Sequence, residues 1–181
     1  MREPFVSGAW MTAEHDDWDF SRLVETYFSR AVRFCARMLG NVTDGEEVAQ
    51  QAFVRLYETG RKPWEKGDPL PYLYRVLRNA CVDHVRRRKV RQADGSLEQA
   101  GTRADLSGAE ESEIRDALLA AIGGLEEGQR EVVLLRFFEE LSLKEVAESV
   151  GKTVGATAML LSRAKANLKE TLGKLPEFEE L

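Results

Sequence analysis

Residues 142–172 read SLKEVAESVGKTVGATAMLLSRAKANLKETL, and the fold follows from how this stretch is punctuated. Ser142 followed three residues later by Glu145 is a capping box, in which each side chain satisfies a backbone N–H that the helix start leaves open. Val146, Ala147 and Val150 then fall on one side of a short helix. Gly151 supplies the left-handed residue of a tight turn, Thr153 offers a second cap, and a longer helix runs from about Val154 to Leu172. Short helix, glycine turn and longer helix together make a helix-turn-helix pattern.

Working back from that stretch, Val132, Val133, Leu135 and Phe138 mark a helix over Gln129 to Phe138. Ile114, Ala117, Leu118, Ala121, Ile122 and Leu125 mark another, closed by Gly123 and Gly124. Residues 92–109 carry Gly, Ala, Ser and charge without apolar periodicity, which predicts a flexible linker. Before it, a helix from about Pro69 to Arg91 turns Leu73, Val76, Leu77, Ala80 and Cys81 inward and ends in the run Arg86, Arg87, Arg88, Lys89. Thr59 to Asp68, with Gly60, Pro63 and Gly67, reads as a loop. Upstream lie two amphipathic helices. One runs from Trp18 to Leu39 and stops at Gly40, and the next is capped at Thr43 or Asp44 and buries Val48, Ala49, Ala52, Phe53, Leu56 and Tyr57. No segment alternates with period two. The expectation is an all-α chain of two small helical domains: an extension over residues 1–17, a domain over 18–91, the linker 92–109, a helix-turn-helix domain over 110–173 and an acidic tail over 174–181.

Composition narrows the function classes. The chain is 43% hydrophobic and 31% charged, as globular domains are. It holds no run near the roughly 20 apolar residues that span a bilayer and no basic-then-apolar leader, so a cytoplasmic protein without membrane insertion is expected. Cys35 and Cys81 sit at apolar positions without ligand spacing and read as small buried thiols, so neither a metal nor a disulfide is expected. His15 and His84 form no nucleophile-base pattern, and no phosphate-binding glycine motif occurs. The sequence points to no enzyme, no cofactor and no small-molecule substrate. The net charge of −5 is unevenly spread: residues 1–91 hold 16 Lys and Arg against 13 Asp and Glu, whereas residues 110–181 hold 9 against 15. Phosphate contact is therefore better supported in the first part. There Arg61, Lys62 and Lys66 flank Trp64 in the loop, and Tyr72, Arg75, Arg78, Arg86, Arg88 and Lys89 follow on the helix. Cations beside aromatic faces suit a melted strand, with core packing as the other reading of Trp64 and Tyr72.

Three stretches carry a family resemblance. DGEEVAQQAFVRLYE (44–58) resembles the polymerase-docking helix of extracytoplasmic-function sigma factors, PYLYRVLRNACVDHVRRRK (71–89) their promoter-melting and −10-reading helix, and residues 125–168 their −35-reading domain, in the family's order. The resemblance implies that Asp44, Glu46, Glu47, Gln50 and Phe53 face RNA polymerase. It also implies that Arg78, Asn79, Arg86 and Arg87 lie against the −10 region, and that the loop Gly60 to Asp68 holds a flipped base. It implies a promoter-specificity subunit that recognises and melts DNA for core RNA polymerase, with an anti-sigma factor as a partner.

One stretch departs from the family. Where the recognition helix of relatives offers Lys, Ser and Arg, this chain has Ala158, Met159 and Leu160, leaving Lys152, Thr153, Thr157, Arg163 and Lys165 as −35 contacts. The apolar trio either touches thymine methyls, binds protein or packs deeper than in relatives. A sigma mimic that binds an anti-sigma factor without reading DNA is the alternative function.

Overall fold

The computed structural model describes residues 20–58, 69–93 and 111–173. All of its regular elements are helical: α1 (Phe20–Leu39), α2 (Val42–Glu58), α3 (Pro69–Ala93), α4 (Glu111–Gly123), α5 (Glu127–Val133), α6 (Leu143–Val150) and α7 (Val154–Leu172). The extension, the loop bearing Arg61, Lys62, Trp64 and Lys66, most of the linker and the acidic tail lie outside the described residues.

Gly40 ends α1 with φ +71, a backbone conformation that side chains resist. The cap of α2 falls earlier than Thr43 or Asp44: the Asn41 side chain accepts the Asp44 N–H at 3.1 Å, because Asn41 is the residue that leaves α1's turn with its carboxamide free. Helices α1 and α2 cross at Gly45, where a Cβ would lie 2.5–2.9 Å from the Ala36 backbone and Cβ. Only glycine permits that approach. Tyr57, expected inside, is 65% exposed and merely leans on the Phe20 ring at 5.1 Å, since it is rotated out of the arc of α2 that holds Val48, Ala49, Ala52, Phe53 and Leu56.

The C-terminal half follows its predicted punctuation. Ser142 and Glu145 form both bonds of the capping box, Gly151 takes φ +67, and Thr153 caps α7 by accepting the Ala156 N–H. The helix expected over Gln129–Phe138 is different in one respect. It is α-helical only to Val133 and widens into a π turn over Leu134–Phe138. That extra residue buries both Leu134 and Leu135 completely and swings Glu139 toward α1. Glu140 follows at φ +57, a left-handed conformation costing about 1 kcal/mol, braced by the Leu141 N–H bonded to the Leu135 carbonyl.

The two halves share one core. Phe34 and Tyr74 meet edge to face at 5.2 Å, and the cluster around them runs on through Leu134, Leu135, Leu141 and Val146. Helix α6 packs along α3, and the π turn packs against α1. Cys35 and Cys81 are buried free thiols. Their mutual hydrogen bond and burial push the Cys81 thiol far up, which leaves it inert.

Candidate nucleic-acid and partner interfaces

Helix α2 buries Val48, Ala49, Ala52, Phe53 and Leu56, and so turns a continuous opposite face to water. Glu46, Glu47 and Gln50 stand on that face, with Val54 and Tyr57 continuing it toward the helix end. Gln50 and Gln51 donate to Glu46 and Glu47 one turn back, at 3.5 and 2.9 Å, which orders the acidic patch. Phe53, buried by apolar spacing but also counted among the polymerase contacts, belongs to the core: its ring meets Phe28 at 5.5 Å and Phe20 at 6.3 Å. Asp44 is only partly open. It lies 3.5 Å from Arg88 and 3.6 Å from His84, so a residue expected to meet polymerase pairs with one expected to meet DNA.

Between the start of α2 and the end of α3 runs a groove of about 1100 Å³. One wall carries Thr43, Asp44 and Glu47, the other Arg86, Arg87 and Arg91. Along α3, Arg75, Asn79 and Arg86 are exposed on one side at helical spacing, and Lys89 and Arg87 are open as well. The Arg87 Nε donates to the Asp83 carbonyl one turn back, and Asn79 accepts from Arg78 at 3.2 Å. Tyr72 is half-buried against the core rather than free to stack.

Arg78 differs from its neighbours because the C-terminal half reaches it. Its Nε lies 2.6 Å from Glu131 Oε1, a contact of charge rather than an aligned hydrogen bond. Burial pushes the Glu131 carboxyl up to about 7 although Arg78 opposes the shift. A second tie lies at Glu139, whose carboxylate accepts from the Tyr74 hydroxyl and from Arg30 Nε at 3.2 Å, while its carbonyl accepts from Arg30 Nη2 at 3.1 Å. Burial and the Glu139 charge push the Tyr74 hydroxyl up and keep it a donor. Arg130 adds a third. It donates to the Met38 carbonyl at 2.9 Å and to the Gly123 and Leu125 carbonyls at 2.7 and 3.1 Å, closing the C-terminal ends of α1 and α4. These carboxylates explain part of the acidity of residues 110–181: it is spent on the basic first half.

In the helix-turn-helix, Lys152, Arg163 and Lys165 are exposed as expected, with the Lys165 ammonium 5.4 Å from the Phe137 ring centroid. Thr153 spends its hydroxyl on the cap. Thr157 is not a surface residue. It is fully buried and its hydroxyl donates to the Thr153 carbonyl at 3.0 Å, the device that lets a threonine enter a core without an orphan polar group. Of the apolar trio, Met159 is 58% exposed, while Ala158 and Leu160 are half-buried.

Among the described residues no helix is long and apolar enough to cross a membrane. Residues 23–91 match the Sigma-70 region 2 family model and residues 115–168 match that of Sigma-70, region 4, together more than half of the chain. The ECF RNA polymerase sigma factor SigW of Bacillus subtilis is 28% identical over 168 residues, covering 86% of this chain and 90% of that one. An RNA polymerase sigma-E factor of Streptomyces coelicolor is 29% identical over 154 residues, covering 85% and 86%. The fold is that of the sigma factor RpoE in complex with the anti-sigma factor NepR from Bartonella quintana, at TM-score 0.70 and 22% identity over 87% of this chain and 98% of that one. It is also that of CnrH in complex with the cytosolic domain of CnrY, at TM-score 0.60 and 24% identity over 86% and 88%. With a region 2 bundle before a region 4 helix-turn-helix and relatives of one kind along most of its length, the chain belongs to the sigma-70 family, among its extracytoplasmic-function members.

Proposed function

We propose that this chain is a promoter-specificity subunit: it docks on core RNA polymerase and directs initiation by recognising and melting promoter DNA. The observation that carries the reading is the pairing of two surfaces across one groove. Thr43, Asp44 and Glu47 at the start of α2 face Arg86, Arg87 and Arg91 at the end of α3, and the exposed Glu46 and Gln50 extend the acidic side along α2 as the exposed Arg75 and Asn79 extend the other along α3. An acidic stripe complements a basic partner protein, and a basic one complements phosphate. Residues 18–91 then hold polymerase and the −10 region, and residues 110–173 set the −35 region. RNA synthesis itself is the polymerase's chemistry, so the protein works in the cytoplasm. An anti-sigma factor is the regulator this reading calls for, since RpoE is held in such a complex.

The test is transcription from a promoter library with core polymerase and the full chain. Wild type gives defined start sites. Glu46→Lys with Glu47→Lys, both exposed and free of the core, abolishes co-purification with core polymerase and the defined starts while leaving the melting temperature within a few degrees. Wild type that neither associates with core polymerase nor selects start sites overturns the proposal.

A further inference from the structure

The face that α7 offers to DNA is chemically unusual. Over its first two turns, Val154 to Leu161, the only polar side chain is that of Thr157, and it is fully buried with its hydroxyl bonded to the Thr153 carbonyl. The exposed positions there are Val154, Gly155, Ala156 and Met159. None can donate or accept a hydrogen bond from its side chain. A helix-turn-helix places the first turns of its second helix against base edges. Reading G by a bidentate cation, or A by a bidentate carboxamide, needs groups that this face lacks.

Charge says what covers the face. Residues 152–172 hold four cations, Lys152, Arg163, Lys165 and Lys169, against the single carboxylate Glu170, although residues 110–181 as a whole are net acidic. Positive charge is thus gathered at the flanks of an apolar strip whose large exposed side chains are Val154 and Met159, with no aromatic or arginine anchor among them. A protein-binding groove would need several large anchors. The small residues Gly155 and Ala156, with open space beside Gly155, instead allow a close approach of helix backbone to a groove floor.

From this we infer that α7 reads the upstream promoter element through thymine 5-methyl groups, with Met159 and Ala156 as the specificity-determining contacts and the flanking cations holding phosphates. The inference rests on the proposed promoter function and names the chemical feature that is recognised. The methyl is the one apolar group that a base pair presents in the major groove, and it is present in T·A and absent in G·C. The selected element is therefore rich in A·T pairs, with thymine opposite Met159.

Holoenzyme assembled from core polymerase and the full chain tests this on promoters selected from a library randomised upstream of a fixed −10 element. Each thymine of the selected upstream element is then replaced by deoxyuridine, which removes only the methyl. Occupancy falls about four-fold per contacted methyl, the weight of one buried methyl-sized group. Met159→Ala lowers occupancy on thymine promoters and removes the penalty for uracil opposite it. Met159→Arg shifts selection at that pair toward G. Both changes fall on an exposed side chain, so the fold is kept. Selection of a G-rich element, or upstream recognition indifferent to uracil, overturns the inference while leaving promoter function intact. Defined starts that ignore the upstream sequence altogether overturn it in favour of a protein partner on α7. Absence of any defined start overturns the function on which it rests.

Discussion

Glu131→Gln exchanges a carboxyl that is 2% exposed for a neutral amide of nearly the same shape. Burial pushes that carboxyl up to about 7 from its ordinary 4.5; Arg78 opposes the rise and Glu127 adds to it. A folded value above the unfolded one means that the folded chain binds the proton more tightly. The stabilisation is therefore whole below about pH 4.5, is lost as pH rises toward 7, and changes no further above that. At about 1.4 kcal/mol per pH unit, the loss across this window is about 3 kcal/mol. Glutamine does not titrate, so the variant escapes this loss. Arg78, partly open to water, finds solvent in place of its partner. Urea denaturation at half-unit steps from pH 4.5 to 8.5 measures the difference. Wild type and variant coincide at the acid end, and by pH 8 the variant is the more stable by about 3 kcal/mol, roughly 6–12 °C in melting temperature for a chain of this size. Two parallel profiles would refute the reasoning, because they would mean that the carboxyl is solvated and does not feel the core.

Two further changes test the packing itself. Gly45→Ala puts a methyl within 2.5–2.9 Å of Ala36 and forces α1 and α2 apart, lowering stability by about 2–3 kcal/mol in urea melts, whereas an alanine at a free surface site is neutral. Tyr74→Phe deprives the Glu139 carboxylate of its hydroxyl donor while keeping the ring against Phe34. It costs about 1–3 kcal/mol, read as a lower denaturation midpoint with an unchanged slope.

The features visible in the sequence were those set by local chemistry. A serine three residues before a glutamate, and a glycine between two apolar periodicities, impose the same backbone wherever they occur, so α6, its turn and the start of α7 fall where the letters place them. The acidic face of α2 was readable for the same reason, since apolar spacing assigns the opposite side to water. Long-range pairing was not readable. Glu131 and Glu139 look like ordinary surface carboxylates, and nothing near them in the chain announces Arg78, Arg30 or Tyr74 as partners. Phe34 shares the buried face of α1 with Leu23, Tyr27, Ala31 and Met38, but that Tyr74 of α3 would close over its ring was not readable from α1 alone. Phe53 and Thr157 show the converse: a residue assigned to a surface by family position is held inside by ring packing or by a hydroxyl that satisfies itself.

The tie between Arg78 and Glu131 makes the molecule a competitor for its own guanidinium. An intramolecular rival is not diluted away, so if Arg78 serves the proposed −10 surface, DNA must displace Glu131 to reach it. Whatever draws the helix-turn-helix off α3 unmasks a cation and strands a carboxylate in one motion. Separation of the halves and affinity for a phosphate backbone are then two readings of a single equilibrium.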